Sequence, residues 1–185
     1  MRKRLQLLAM SLLLCIAATA QSHTKFLGIG MDEPLVRFGV YLEQCGFVSK
    51  GSSVNELGMK IHTFSGRMYG QDSTTVSFML NGQTEAIIAI FVDMPYSEDG
   101  TAVQECYKQV FNSLCEQYGD DPNKALILDT KRQADFPFEN VVGRFCDGNV
   151  ISRIERADNG AERAYGIQII FQDPINAREA NQSPS

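Results

Sequence analysis

The 185-residue sequence contains no tryptophan and only two histidines, His23 and His62. It has neither the Cys-x-x-Cys nor the His-Glu-x-x-His spacing that holds zinc in many proteins, and no complete calcium-binding loop. The Gly-x-Ser-x-Gly turn of serine hydrolases is absent, and no Gly-Lys-Ser or Gly-Lys-Thr forms a phosphate-binding loop. The sequence therefore predicts no cofactor, no metal site and no recognisable catalytic residue.

Basic residues are scarce as well, with 17 Lys and Arg against 22 Asp and Glu and a formal net charge of -5. The first 20 residues contain three of the basic residues and no acidic one, so the rest of the chain carries a formal charge of -8. A nucleic-acid-binding protein needs a cationic surface to neutralise phosphates, and an anionic membrane attracts the same kind of surface. We therefore expect neither of them as a partner.

The first 20 residues have the composition of a signal peptide. A basic start (2–4) precedes an apolar stretch (5–17) and small residues (18–20), which signal peptidase requires. The apolar stretch is shorter than the ~20 residues of a membrane-spanning helix, although a retained anchor is the alternative. We expect cleavage between Ala20 and Gln21, no membrane insertion afterwards, and a periplasmic or secreted protein.

Four cysteines follow the predicted cleavage site: Cys45, Cys106, Cys115 and Cys146. An even number in an oxidising compartment is compatible with disulfides. Cys106 and Cys115 lie nine residues apart on one predicted helix, about 13 Å along its axis, so they cannot pair with each other. Either each of them pairs with Cys45 or Cys146, in one of two connectivities, or all four are buried or half-buried thiols.

Two helices are predicted from apolar residues at helical spacing, DEPLVRFGVYLEQC (32–45) and TAVQECYKQVFNSLCEQY (101–118). Asp32 and Thr101 are the expected N-caps, and a glycine follows each helix as its terminator. The remaining segments show the alternation or the apolar runs of strands. The predicted strands are 59–69, 74–80 and 85–92 after the first helix, and 140–146, 149–156 and 162–172 after the second.

This order predicts an α+β fold built from two similar α-β-β-β halves, with two helices packed on antiparallel sheet. GRMYG (66–70) and GRFCDG (143–148) occupy equivalent positions in the two halves, which suggests a duplicated unit. We expect one domain over 21–177, with halves at about 25–95 and 96–177, and a polar tail over 178–185.

The paired glycines of these motifs lie within strands and not between a strand and a helix, so they do not form a phosphate-binding loop. Gly66 and Gly143 are expected to leave room for a helix that crosses the sheet. The alternation of a strand places Arg67, Tyr69 and Arg144 on the opposite face. These three residues are a candidate partner-binding face, and the alternative is a solvated or salt-bridged sheet surface.

His62 is the histidine that a Cys/His or Ser/His pair would need, because His23 lies three residues from the expected mature end. Alternation places His62 on the side of Phe64, near the boundary between sheet and helix. We therefore interpret His62 as a structural residue with satisfied hydrogen bonds, and not as a catalytic base.

Several motifs resemble a family of small uncharacterised exported proteins from anaerobic gut bacteria. They are KFLGIGMDEPLVRFGVYLEQCGF (25–47), FSGRMYG (64–70), the end of the second helix before Gly119 and Pro122, and IIFQDPINARE (169–179). Since that family has no assigned activity, the resemblance implies an exported bacterial protein and transfers no catalytic residue. The chain departs from the family pattern at Gly30, Cys45, Phe171 and Arg178.

The paired helix-and-sheet units also look like the tandem fold of β-lactamase inhibitor proteins, which bind another protein through an open sheet face. This likeness concerns the fold alone. We expect a non-catalytic binding or inhibitor-like module with a protein partner. The alternatives are a small periplasmic hydrolase, built from loop carboxylates or from a cysteine with His62, and a structural envelope component.

Overall fold

The computed structural model describes residues 22–129, 138–159 and 162–182, and it confirms the α+β fold. Four helices accompany an eight-stranded antiparallel sheet, and a two-stranded hairpin precedes the first helix. The strands are β1 Lys25–Phe26, β2 Ile29–Gly30, β3 Val48–Val54, β4 Lys60–Met68, β5 Gln71–Leu80, β6 Ile87–Asp93, β7 Leu126–Leu128, β8 Val141–Phe145, β9 Val150–Asn159 and β10 Glu162–Gln172. The helices are α1 Leu35–Gln44, α2 Gly100–Tyr118, α3 Pro122–Ala125 and α4 Pro174–Gln182.

The strands of the large sheet follow the order β3-β4-β5-β6-β10-β9-β8-β7. The first four strands are therefore consecutive neighbours, and so are the last four. The two groups meet at the centre of the sheet, where β6 runs antiparallel to β10 and Val92 lies opposite Ile169. Both edges of the sheet, β3 and β7, are strands that the sequence did not predict.

One face of the sheet forms the hydrophobic core. Val76, Val92 and Ile169 lie opposite one another on β5, β6 and β10, and all three are fully buried. Phe38 of α1 packs on Phe78, with ring centroids 5.3 Å apart, and the side chains of α2 cover the strands of the second group. Since each buried apolar side chain contributes about 1.5–3 kcal/mol, this layer holds helices and sheet together.

The helices begin at other residues than the sequence predicted. Asp32 is not the N-cap of α1; Pro34 occupies that position, and no side chain caps the helix. The N-cap of α2 is Asp99, whose carboxylate accepts hydrogen bonds from the backbone N–H groups of Thr101 and Ala102. Aspartate is as good a cap as threonine, so the apolar periodicity alone could not distinguish the two start points.

The helix ends agree better with prediction. Gly46, which follows the C-cap Cys45 of α1, and Gly119, the C-cap of α2, have left-handed backbone angles, as terminators require. The polar tail begins within a helix, because α4 extends from Pro174 to Gln182. Within the described ranges, no helix combines the length and the apolar composition needed to cross a bilayer. The predicted cleavage site at Ala20–Gln21 lies outside the described residues.

Candidate functional site

The sheet face that points away from the core carries a short apolar row, and we call this side the open face. Phe91 on β6 lies opposite Ile170 on β10, which lies opposite Ile151 on β9. None of the three belongs to the core cluster on the helix side. Phe91 and Ile151 are half-buried, whereas Ile170 is 9% exposed. The next residue across the sheet is Arg144 on β8, which lies opposite Ile151. Its side chain is exposed.

A chain of polar contacts runs beside this apolar row. The Gln168 side-chain amide donates to an Asp93 carboxylate oxygen at 2.7 Å, and its carbonyl accepts from the Arg153 guanidinium at 2.9 Å. Arg153 also forms an ion pair with Glu155 on the same strand. These contacts link β6, β10 and β9 across the open face. Because each side chain is held by its neighbour, the polar groups of this face hold one another in place.

The structure separates the residues that the sequence grouped as one partner-binding face. Arg67 and Arg144 are both exposed, but they lie on β4 and β8, five strand spacings or about 24 Å apart. Arg67 is within 3.5 Å of the carboxylate of Asp72, whereas Arg144 has no ion-pair partner in the described part of the chain. Arg144 is therefore an exposed cation of the open face whose charge is not neutralised by a described residue.

Tyr69 does not lie on the open face, which corrects its predicted position. A bulge between Gly66 and Met68 interrupts the alternation of β4, and Tyr69 follows with a left-handed backbone (φ 49°). Its side chain packs against the core, and burial raises the pKa of its phenol. Alternation predicts which face a side chain occupies only while the strand continues, and here it ends at Met68.

A second candidate site is a cleft of about 660 Å³ between the start of α1, the start of β6 and α4, which we call the α1–α4 cleft. Its floor includes the core residues Met31, Leu80 and Ile87. Its charged lining consists of Asp32, Glu33, Glu85, Glu179 and Lys60, and His23 joins it from the N-terminal segment. A ligand pocket has this combination of an apolar floor and a polar rim.

His23 is held in the cleft wall by a fully buried carboxylate. Its Nδ1 lies 3.2 Å from both oxygens of Asp173. The same carboxylate accepts a hydrogen bond from the backbone N–H of Thr24, which anchors the N-terminal segment. It also accepts from the backbone N–H groups of Ile175 and Asn176 and thereby caps α4. An ionised carboxylate only accepts hydrogen bonds, so Nδ1 of His23 carries the proton in this contact, and in the neutral imidazole Nε2 is an acceptor.

His62 lies at the edge of the helix-side face, as alternation predicted. Its two ring nitrogens are 3.0 Å from the hydroxyl of Ser49 and 2.7 Å from that of Ser52. Its imidazole ring packs against the ring of Phe64 in a tilted arrangement, with the ring centroids 4.9 Å apart. Both ring nitrogens thus have hydroxyl partners. This arrangement does not support the alternative of a hydrolase built from a cysteine with His62.

All four described cysteines are free thiols. Cys115 is buried, Cys106 and Cys146 are half-buried, and Cys45 is exposed at the end of α1. The expectation of four buried or half-buried thiols therefore misplaced Cys45, because the apolar stripe of α1 ends at Leu42. Burial raises the pKa of the other three thiols, which makes their reactive thiolate forms scarce.

No cluster of three or more His, Cys, Asp or Glu side chains suited to a metal ion occurs among residues 22–129, 138–159 and 162–182. No protein-family model, no curated protein and no solved structure matches this chain. The function must therefore be argued from the open face and the α1–α4 cleft themselves.

Sequence reasoning missed the His23–Asp173 pair, because the two residues are separated by 150 positions and share no local pattern. A partial signal was present in Asp173 followed by Pro174, since aspartate as N-cap and proline at the first helical position often start a helix. That signal predicts α4 and the buried carboxylate cap. It does not predict which side chain pairs with the carboxylate.

Proposed function

We propose that this protein is an exported, non-catalytic binding module that recognises a partner protein through the open face of its sheet. The observation that carries the proposal is the contrast between the two faces. One face supplies the core, whereas the other presents the Phe91–Ile170–Ile151 row outside the core, beside polar groups that already hold one another.

The size of the sheet supports this proposal. Eight strands at about 4.8 Å spacing span about 34 Å, and six residues along a strand cover about 20 Å. The resulting area of roughly 700 Å² is close to the ~800 Å² that each partner buries in a specific protein–protein interface. We expect a partner surface that is apolar at its centre and carries a carboxylate where it meets Arg144.

Export is part of the same proposal and rests on the basic start, the apolar stretch and the small residues before Gln21. We further propose membership in the family of exported gut-bacterial proteins and an origin by duplication of one helix-and-sheet unit. The mirror-like strand order supports duplication, since each long helix precedes four strands and the two groups meet at β6 and β10.

Site-specific photo-cross-linking in the native cell tests the open face. We expect a benzoylphenylalanine at position 91 or 151 to cross-link one partner of defined mass. The same probe at Val40, which is exposed on the outer side of α1, serves as the matched control and should give none. The substitutions Ile151→Glu and Arg144→Glu should abolish the adduct at position 91. A complex that survives substitution of every exposed residue on this face, Arg67 and Arg144 included, would overturn the proposal.

A second candidate, a structural assembly component, is favoured by the edge strand β7. Leu126, Ile127 and Leu128 are all exposed, and an edge strand offers unpaired backbone groups to another chain. The other edge, β3, is protected by Lys50 and by a bulge between Ser49 and Gly51. Analytical ultracentrifugation distinguishes the two functions: assembly requires oligomers that Ile127→Lys dissociates, whereas the binding module remains a monomer without its partner.

A further inference from the structure

We propose that the α1–α4 cleft is a second binding site, separate from the open face, and that it takes a small organic amine with an apolar body. The cleft volume of about 660 Å³ falls in the range of 300–1,000 Å³ that is common for small-molecule sites. The core residues of the floor are fully buried, so the apolar body of a ligand would rest on the half-buried Leu35 and the exposed Val36, which also line the cleft.

His23 provides the first specific contact. The four donors around Asp173 hold that carboxylate rigidly, and Asp173 in turn holds the imidazole with its proton on Nδ1. The Nε2 atom of His23 has no hydrogen-bond partner among the described residues, and the side chain lines the cleft. With the imidazole neutral, Nε2 accepts a hydrogen bond, and a ligand group that donates one, such as an ammonium, complements it.

The charged lining of the cleft favours the same ligand. Four carboxylates face one ammonium group, and the ammonium of Lys60 is engaged with Glu85 at 3.0 Å. Glu33 is paired with Arg37, which does not line the cleft, while the exposed carboxylate of Asp32 has no hydrogen-bond or ion-pair partner within the described part of the chain. Asp32 thus offers the rim an acceptor and a negative charge, which an amine complements and a carboxylic acid does not.

The N-terminus of α1 does not reverse the preference of the cleft for a cation. A helix N-terminus attracts anions, and α1 has no side-chain cap. However, Asp32 and Glu33 precede that terminus directly and supply the negative charge that it attracts. A ligand anion would compete with two carboxylates of the protein, so the site remains selective for a cation.

Proton NMR of the protein exported from a bacterial host tests the proposal, because the chain has only two histidines. The probe is 2-phenylethylamine, and 3-phenylpropanoate is the probe of similar size and opposite charge. We expect the amine to shift the His23 imidazole resonances saturably, with a dissociation constant of about 1 mM, and to leave His62 unchanged. The propanoate should shift neither histidine.

Matched variants separate binding from folding. His23→Gln keeps an amide that can donate to Asp173 but loses the ring nitrogen Nε2. Since this variant lacks the reporter imidazole, binding to every variant is followed through the proton resonances of the amine itself, and His23→Gln should weaken it about fivefold, the equivalent of one hydrogen bond. His62→Gln, the same change at the other histidine, should bind as the parent does. Asp32→Asn should weaken binding, whereas Glu116→Gln, which removes an exposed charge on α2 outside the cleft, should not.

Three results would overturn the proposal: no shift of His23 up to 20-fold above the expected dissociation constant of about 1 mM, equal binding by the His23→Gln variant, or equal binding of the propanoate. These results leave the open face untouched, because the cross-linking experiment uses neither the cleft nor the amine. Conversely, loss of the cross-link at position 91 would not affect the NMR result.

Discussion

The hydroxyl of Tyr107 on α2 bridges two strands of the sheet. It accepts a hydrogen bond from the backbone N–H of Gly143 at 3.2 Å and donates one to the carbonyl of Ser152 at 3.0 Å. Gly143 and Ser152 are direct neighbours in the β8–β9 ladder, so the hydroxyl joins a register pair. A Cβ on Gly143 would lie 2.5 Å from the Ser152 hydroxyl, which explains why this position needs glycine.

Tyr107→Phe should lower the free energy of unfolding by about 2 kcal/mol, because a buried N–H and a buried C=O lose their partner. Urea denaturation followed by circular dichroism measures the change. Tyr41→Phe is the matched control: Tyr41 is 40% exposed and its hydroxyl forms no hydrogen bond with another described residue, so a change within about 0.5 kcal/mol is expected. Equal stability of the Tyr107→Phe variant and the parent would contradict the bridging role.

Gly66→Ala should destabilise the protein by about 1–3 kcal/mol, because a Cβ there would lie 2.5 Å from the ring of Phe47. The sequence predicted that Gly66 leaves room for a helix. In the structure the side chain of Phe47, which follows α1, occupies this space instead. Phe47→Ala removes the side-chain atoms that such a Cβ would meet, so Gly66→Ala should cost less in the Phe47→Ala background than in the parent. Strictly additive effects in this double-mutant cycle would show that the ring and the Cβ do not meet.

Thiol titration should find four free cysteines in the unfolded protein and only one that reacts quickly in the folded protein. Cys45 is exposed, whereas burial raises the pKa of the Cys106, Cys115 and Cys146 thiols. For Cys115 and Cys146 the carboxylate of Asp120 adds to the rise. At pH 8 a raised pKa means less thiolate and slower reaction.

The same titration distinguishes the disulfide interpretation. Two disulfides would leave no free thiol after unfolding without reductant, and one would leave two. A count of five would show that Cys15 and the leader are retained.

Export should remove residues 1–20 in a bacterial host, because the small residues before Gln21 meet the requirement of signal peptidase. Intact-mass spectrometry of the periplasmic fraction measures the processing directly. A variant with Ala18→Leu and Ala20→Leu, which replaces the small residues at the cleavage site, is the control and should accumulate at full length. Cleavage of this variant at the same bond, or full-length parent protein in the cytoplasm, would contradict the predicted leader.

The sequence by itself determined the parts of the fold that depend on local periodicity. The stripe of Leu35, Phe38 and Leu42 specifies α1, and the stripe of α2 specifies the longer helix, because residues three and four positions apart share one helix face. Gly46 and Gly119 end these helices because glycine adopts the left-handed backbone at little cost. The alternation in β5 likewise assigned its buried and exposed sides.

Tertiary structure alone decided the rest, because it depends on contacts between distant residues. β3 is exposed along its whole length and polar in sequence, so only pairing with β4 makes it a strand. The pairing of β6 with β10 joins the two groups of strands. It therefore determines the width of the open face and brings the residues of the apolar row together. The His23–Asp173 contact joins residues 150 positions apart, and folding alone brings the histidine to the cleft.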